Sequence, residues 1–368
     1  MKHLHGIYVG HWAGNLGDSA VFDVFDQNLS NNVRFTVEVD SIGDRRRRPQ
    51  TIFVHWQDEK LIEQEMSICD AVVLVGTTVV TDLHDGEWPI AWIVKSLEKA
   101  KRFGKSIYAV GVGIYPTSEE AATKRFRENF IEQINSFSVR DEASKNALLS
   151  AGVPESRILL SGDLAWLLDR PLAFEAAKTE LNSLTNSENL IGVNVVHEDW
   201  KGEDALYKSL GVELDEVYFQ TGAQTIFFCN EIRSGDFFDR AAAYRTLDLM
   251  QSPAVVHPVR WMHPEEMIAR LSFCQVVVSM RYHFSIFASL ARIPWIGFSR
   301  GKKSFSLLSE FGKSTEFNMG KVAKGRLCKE ILLALKNRDR IIIEQCQVAK
   351  KLKKRTEISL KHLKNILS

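Results

Sequence analysis

Short apolar runs rich in Val, Ile and Phe alternate along the chain with longer stretches in which apolar residues recur every three or four positions. This pattern predicts parallel sheets joined by crossover helices. In the first half it predicts strands over 6–12, 34–39, 51–55, 71–75, 106–111, 136–139 and 158–160, and helices over 19–29, 92–103, 118–133 and 142–150. Gly104 and Gly152 follow the second and fourth of these helices, as C-terminal stops do. Together these elements predict a first doubly wound domain, residues 1–168. Residues 169–189, mixed in Pro, Asn, Ser and Thr, read as a linker with one helical piece over 173–184. The pattern then restarts, with strands over 191–196, 225–228, 254–258, 276–280 and 294–298 and helices over 237–250, 264–273 and 284–291. That is a second domain, residues 190–324, in which Pro264 suits a first helical position. Residues 325–368 predict one or two long helices as a C-terminal extension. The fold class is α/β, with two Rossmann-like doubly wound domains and a C-terminal basic helix.

Composition narrows the classes without choosing among them. The 368 residues ask for about two domains. With 45% hydrophobic and 25% charged residues and a net charge of +1, the chain is neither a collagen nor a disordered tail. No nucleic-acid partner is expected, because that binding draws on an excess of Lys and Arg facing phosphates. The five cysteines, Cys69, Cys229, Cys274, Cys328 and Cys346, are scattered and form no Cys-x-x-Cys pair, so they read as reduced thiols in a cytoplasmic protein with no metal site. No secretory leader is expected at 1–12, and the longest apolar run, 71–80, is broken by Gly76, Thr77 and Thr78 far short of a membrane span. The lysines at 350, 351, 353, 354, 361 and 364 with Arg355 predict either a solvated helix face or a peripheral patch for anionic lipid headgroups.

Three segments carry candidate chemistry. Gly14-Asn15-Leu16-Gly17-Asp18 lies between a predicted strand and helix, where the first helical amides can meet an anion or a sugar hydroxyl. Asp18 reads equally as the helix cap. Arg140, with Asp141 as an N-cap, stands at the carboxyl end of a strand, the edge where open α/β sheets bind ligands. A salt bridge from Arg140 to Asp163 is the competing reading. Arg281-Tyr282-His283 follows a buried strand and precedes an apolar helix, placing a bidentate cation and a titratable imidazole at that same edge of the second domain. His257, Lys302 and Lys303 fall at further predicted strand ends there. Trp88, Trp92, Trp200, Trp261 and Trp295 could stack on sugars but read first as packing residues.

Taken together, Gly14-Asn15-x-Gly17-Asp18, Ser138-Val139-Arg140-Asp141-x-x-Ser144 with Gly162-Asp163-x-Ala165, and Ser279-x-Arg281-Tyr282-His283-Phe284 with Pro294 and Lys302 resemble the polysaccharide pyruvyl transferase family. One departure is that Val75-Gly76-Thr77-Thr78 keeps a single glycine where the family has a pair or triplet. The resemblance implies a GT-B-like pair of domains facing across a cleft, with the acceptor on the first and phosphoenolpyruvate on the second. It implies transfer of pyruvate from phosphoenolpyruvate, as co-substrate and with no cofactor, to a saccharide acceptor that a lipid can carry. In that scheme Arg281 and Arg140 bind the donor's anionic groups, and Tyr282, Asn15, Gly17, Asp163, His257 and Lys302 line the substrate. His283 moves a proton or binds phosphate, and Asp18 is an acceptor-side base. Two rivals of the same architecture are a glycosyltransferase using a nucleotide sugar and a non-catalytic sugar- or anion-binding relative.

Overall fold

The computed structural model describes residues 1–11, 14–40, 48–80, 89–116, 128, 130–169, 173–197, 202–233 and 238–367. Trp88, Trp200 and most of the helix expected over 118–133 lie outside these residues, and within that helix's span Ile131–Gln133 forms a 3₁₀ turn. The chain divides into two compact units. Unit 1 contains Met1–Ala13, Asp18–Leu168 and Leu352–Ser368, and unit 2 contains Gly14–Gly17 and Asp169–Lys351.

Unit 1 is built on a parallel sheet of β1 (Lys2–Ile7), β2 (Val33–Val39), β3 (Thr51–His55), β4 (Ala71–Val75), β5 (Thr78–Val80), β6 (Ser106–Ile114), β7 (Ser136–Val139) and β8 (Ile158–Leu160). The order is β3-β2-β1-β4-β6-β7-β8, with β5 added to β6. Chain order reverses between β1 and β4, so the crevice beyond their carboxyl ends is this sheet's topological switch point. Its apolar core includes Leu74, Val79, Ile93, Leu97, Ala109 and Phe137.

Strand β1 starts four residues before the predicted position because His3 and His5 are buried, with ring nitrogens bonded to Thr36 Oγ1 (3.0 Å) and Glu38 Oε1 (2.8 Å). Satisfied buried polar residues of this kind are invisible to a hydrophobic pattern. Strand β6 runs past its predicted end at Gly111, which takes a φ of 70° and shifts the register with β7.

Unit 2 has the parallel order β11-β10-β9-β12-β13, made of β9 (Leu190–Asn194), β10 (Gln224–Phe227), β11 (Ala254–Val256), β12 (Cys274–Ser279) and β13 (Trp295–Gly297). Its switch point lies between β9 and β12. The core gathers Ile191, Val193, Leu210, Leu214, Phe227, Val276 and Val278. The 19-residue helix Glu203–Thr221 escapes the pattern because buried acids interrupt its apolar face. Glu213 accepts the amides of Gly325 and Cys328, and Asp215 accepts those of Gln251 and Ser252, so these carboxylates cap neighbouring chain segments. Helices Glu59–Ile68 and Lys302–Glu310 are likewise additions to the predicted set.

The C-terminal extension forms two helices, Arg326–Lys336 and Arg338–Leu367. Within unit 1 the second buries Leu352, Thr356, Ser359 and Leu363, a four- and three-residue spacing that defines one face. Ser359 Oγ bonds Ser138 Oγ (2.6 Å) and Ser161 Oγ (2.7 Å), and His362 Nε2 meets Ser136 Oγ (2.8 Å). Lys350, Lys351, Lys354, Lys361 and Lys364 are exposed. Among the described residues no helix is long and apolar enough to cross a membrane.

Candidate functional site

In unit 2, the helix Tyr282–Leu290 begins three residues after the end of β12, at the switch point, with Arg281 as its N-cap residue. Ser279 Oγ donates to the Arg281 carbonyl (2.8 Å), which ties the end of the strand to the helix start. The Arg281 side chain is 14% exposed and pairs with Asp239, Nε to Oδ1 at 2.7 Å and Nη2 to Oδ1 at 2.6 Å. Asp239, fully buried, also accepts Asn194 Nδ2 (2.9 Å) and the amides of Asn230 (2.9 Å) and Glu231 (3.1 Å). One carboxylate thus fixes Arg281 against the ends of β9 and β10. Sequence reasoning missed Asp239, since an acid in the first turn of a helix carries no signal beyond favourable dipole placement.

His283 is buried in the first turn of the same helix, its ring edge-on to Tyr282 at 5.2 Å between centroids. Gly17 closes over it: a Cβ at Gly17 would lie 2.1 Å from His283 Nδ1, so only glycine lets the backbone approach the imidazole. The Gly14-Asn15-x-Gly17 motif is otherwise engaged with the loop after β10. Leu16 N donates to Asn230 O (3.0 Å), Gly17 N to Asn15 Oδ1 (2.9 Å), and Asn15 Nδ2 to Glu231 Oε2 (3.2 Å). Two of the amides expected to meet a ligand, those of Leu16 and Gly17, therefore meet protein acceptors, and Gly17 packs against His283. The helix starts at Leu16, so Asp18 sits inside its first turn and is not the cap.

Beyond β13, Lys302 opens the helix Lys302–Glu310 and is exposed, and Lys303 Nζ lies 5.1 Å from the Tyr282 ring centroid. Burial of the adjacent Arg300 lowers its pKa to about 10. Because β13 pairs with β12, these cations belong to the neighbouring loop at the same sheet edge as Arg281. His257 is not part of this group. It follows β11, which β10 and β9 separate from β12, accepts from Arg270 Nε (3.1 Å) and meets the Pro258 carbonyl (3.1 Å). Burial holds its pKa down to about 4, so it is a neutral packing histidine at physiological pH.

In unit 1, Arg140 follows β7 with its side chain wholly buried. Nε donates to Tyr115 Oη (2.9 Å), Nη1 to Asp163 Oδ2 (3.0 Å) and Nη2 to Thr78 Oγ1 (2.6 Å). Both the salt bridge to Asp163 and the Asp141 cap, which accepts Ser144 N at 2.8 Å, are present. Asp163 Oδ1 accepts Ala165 N (3.0 Å) and so shapes the following turn. Thr78, one of the residues standing where glycine was expected, supplies a ligand to Arg140, while Gly76 is retained where a Cβ would strike the Gly111 carbonyl at 2.2 Å. At the switch point, Asp18 Oδ2 accepts His11 N (2.9 Å), and His11 Nδ1 meets Asp40 Oδ2 (2.8 Å). His11 and Asp40 were not singled out from sequence, because a histidine near the end of a predicted strand and an acid just after one are unremarked alone. Among the described residues no group of three or more His, Cys, Asp or Glu side chains is placed to hold a metal ion.

The sequence profile of the family described as polysaccharide pyruvyl transferase matches residues 15–302. No curated protein matches the chain. Among solved structures, Alr3699/HepE of Anabaena in complex with UDP and glucose is 12% identical, with 100% of this chain and 99% of that one covered and a TM-score of 0.67. A putative UDP-N-acetylglucosamine 2-epimerase from Listeria monocytogenes is 11% identical, over 99% of this chain and 95% of that one, with a TM-score of 0.64. UDP-GlcNAc 2-epimerase from Neisseria meningitidis, bound to UDP-GlcNAc, is 11% identical over 100% and 99%, with a TM-score of 0.62. At these identities the likeness is one of fold: two Rossmann-like domains of GT-B type.

Proposed function

Since the chain belongs to the polysaccharide pyruvyl transferase family, we propose that it transfers pyruvate from phosphoenolpyruvate to two hydroxyls of a saccharide, forming a cyclic ketal and releasing phosphate. The observation that carries this reading is Arg281, anchored on Asp239 at the switch point of unit 2, at the head of a helix and followed by His283. A fixed guanidinium beside helix N-terminal amides suits a small, doubly anionic donor. Lys302 and Lys303 add positive charge on the neighbouring loop.

In the reaction, C3 of phosphoenolpyruvate takes a proton as C2 gains oxocarbenium character. One hydroxyl adds to C2 and loses its proton, and the second displaces the phosphate, which leaves with the other proton. His283 is the group that delivers a proton or steadies the departing phosphate, its ring orientation set by Gly17 and Tyr282. The acceptor is a saccharide of surface polysaccharide assembly, and the exposed lysines of the last helix provide a contact for an anionic membrane if that saccharide is lipid-linked.

The test is to incubate the protein with phosphoenolpyruvate and a panel of glycans, and to follow phosphate release together with a mass gain of pyruvate on one glycan. Thermal stabilisation by phosphoenolpyruvate accompanies this activity. Stabilisation by UDP-glucose but not by phosphoenolpyruvate would replace the reading with nucleotide-sugar chemistry, and binding without turnover would replace it with a non-catalytic relative.

A further inference from the structure

Two helices of unit 2, Glu203–Thr221 and Arg326–Lys336, lie side by side. Hydrogen bonds fix their register. Val322 N donates to Ser209 Oγ (2.9 Å), and the amides of Gly325 and Cys328 donate to the Glu213 carboxylate. The second helix therefore starts level with the middle of the first, and a groove of about 490 Å³ runs between them as far as Gln220 and Lys336. Both helices run in the same direction along it.

The groove is bordered by apolar side chains that the chain leaves open: Val212, Phe219 and Leu333 are 47%, 63% and 42% exposed. On the first helix Val212, Glu216 and Phe219 follow a four- and three-residue spacing, and on the second Lys329, Leu333 and Lys336 do the same. Each helix thus turns one row of three to one side. The two rows carry opposite charge. Glu216 accepts from Gln220 of its own helix, and among the described residues no ion pair joins it to Lys329 or Lys336. Counting on from Glu213 at about 1.5 Å per residue on both helices, Glu216 comes level with Lys329 and Phe219 with Leu333.

A two-fold axis along the groove exchanges its sides and preserves the helix direction. It lays the first helix of each copy over the second helix of the other, at the same level. Glu216 of each copy then meets Lys329 of the other, and Phe219 meets Leu333. Such self-complementarity is what an isologous contact requires. We propose that this face is a homodimer interface, on which a second copy of the chain docks through the same two helices, with Val212, Phe219 and Leu333 at its apolar centre and Glu216, Lys329 and Lys336 at its charged rim. Exposed apolar and basic side chains also suit an anionic lipid surface, but the acidic Glu216 in the middle of the face opposes that partner and favours one of mixed charge.

The test is the mass of the full chain in solution, measured by analytical ultracentrifugation over a range of concentrations. The wild type sediments as a reversible dimer. Leu333→Asp sediments as a monomer, with an unchanged circular dichroism spectrum showing that it is folded. Glu216→Lys, and the double variant Lys329→Glu with Lys336→Glu, are each monomeric alone, because like charges then face one another at both ends of the contact. Mixed together, the two charge variants dimerise, since every rim pair in the heterodimer joins opposite charges. A monomeric wild type overturns the proposal, and its flotation with vesicles containing phosphatidylserine would assign the face to lipid. A wild-type dimer that these variants leave intact places the interface elsewhere. Charge variants that dissociate yet fail to pair on mixing overturn the two-fold register.

Discussion

Both units carry a parallel sheet whose strand order reverses once, and each places an arginine after a strand, yet the two arginines are held in opposite ways. Arg140 follows β7, which is separated from the β1/β4 switch by β6. It is enclosed by Tyr115, Asp163 and Thr78, with none of its side chain exposed. Arg281 follows β12, which borders the switch itself, and paired with Asp239 its side chain stays 14% exposed. At the switch points the contrast continues, with a histidine and two carboxylates in unit 1 and a cation-rich edge in unit 2. Position relative to the reversal of strand order, more than residue type, accompanies the difference between an enclosed arginine and one left partly open at the sheet edge.

The comparison breaks most visibly at Arg140. Arg140→Met leaves Asp163 buried without its partner and costs about 3–5 kcal/mol, read by urea denaturation. A variant that keeps its stability but no longer responds to phosphoenolpyruvate would make Arg140 a donor ligand and erase the distinction. For Arg281→Lys, a charge remains beside Asp239 while the fork is lost, so kcat/KM for phosphoenolpyruvate falls about 100-fold with little change in melting temperature.

Gly17→Ala drives a methyl group into the His283 ring. A loss of about 1–3 kcal/mol follows, and pyruvyl transfer falls with it. Replacing His283 by Ala in the same chain should recover the stability and not the activity.

The smallest effect is a pH slope. His257 has a folded pKa of about 4 against an ordinary 6.5, so below 6.5 the unfolded chain takes up a proton that the folded chain refuses. Stability therefore declines as pH drops from about 6.5 towards 4. His257→Gln reduces that decline in denaturation curves taken across the window, while the pH profile of activity at neutral pH is unchanged.

Much of the fold was legible because parallel strands buried on both faces are continuous apolar runs, as 71–75 and 276–280 are. The parts that escaped are those whose polar groups are satisfied only at long range. His3 and His5 conceal the start of β1 in bonds to β2, and Glu213 and Asp215 conceal the helix Glu203–Thr221 in bonds to chain more than thirty residues away. For the candidate site, Arg281 and His283 were readable because they adjoin a strong strand signal. Asp239, His11 and Asp40 were not, since each is significant only through a partner that sequence separation hides.

The sequence by itself determined the α/β class, the restart near residue 190, and a set of strand-end motifs sufficient to name the family. These are local properties, written in periodicity and in short runs of residues. Only the tertiary structure decided which strands border the reversal of order, that Gly17 and Gly14 serve close packing against His283 and Arg233, and that Arg140 is enclosed where Arg281 is anchored by Asp239. Those outcomes depend on which distant groups satisfy each buried charge and donor, and a chain's local pattern does not specify its partners in space.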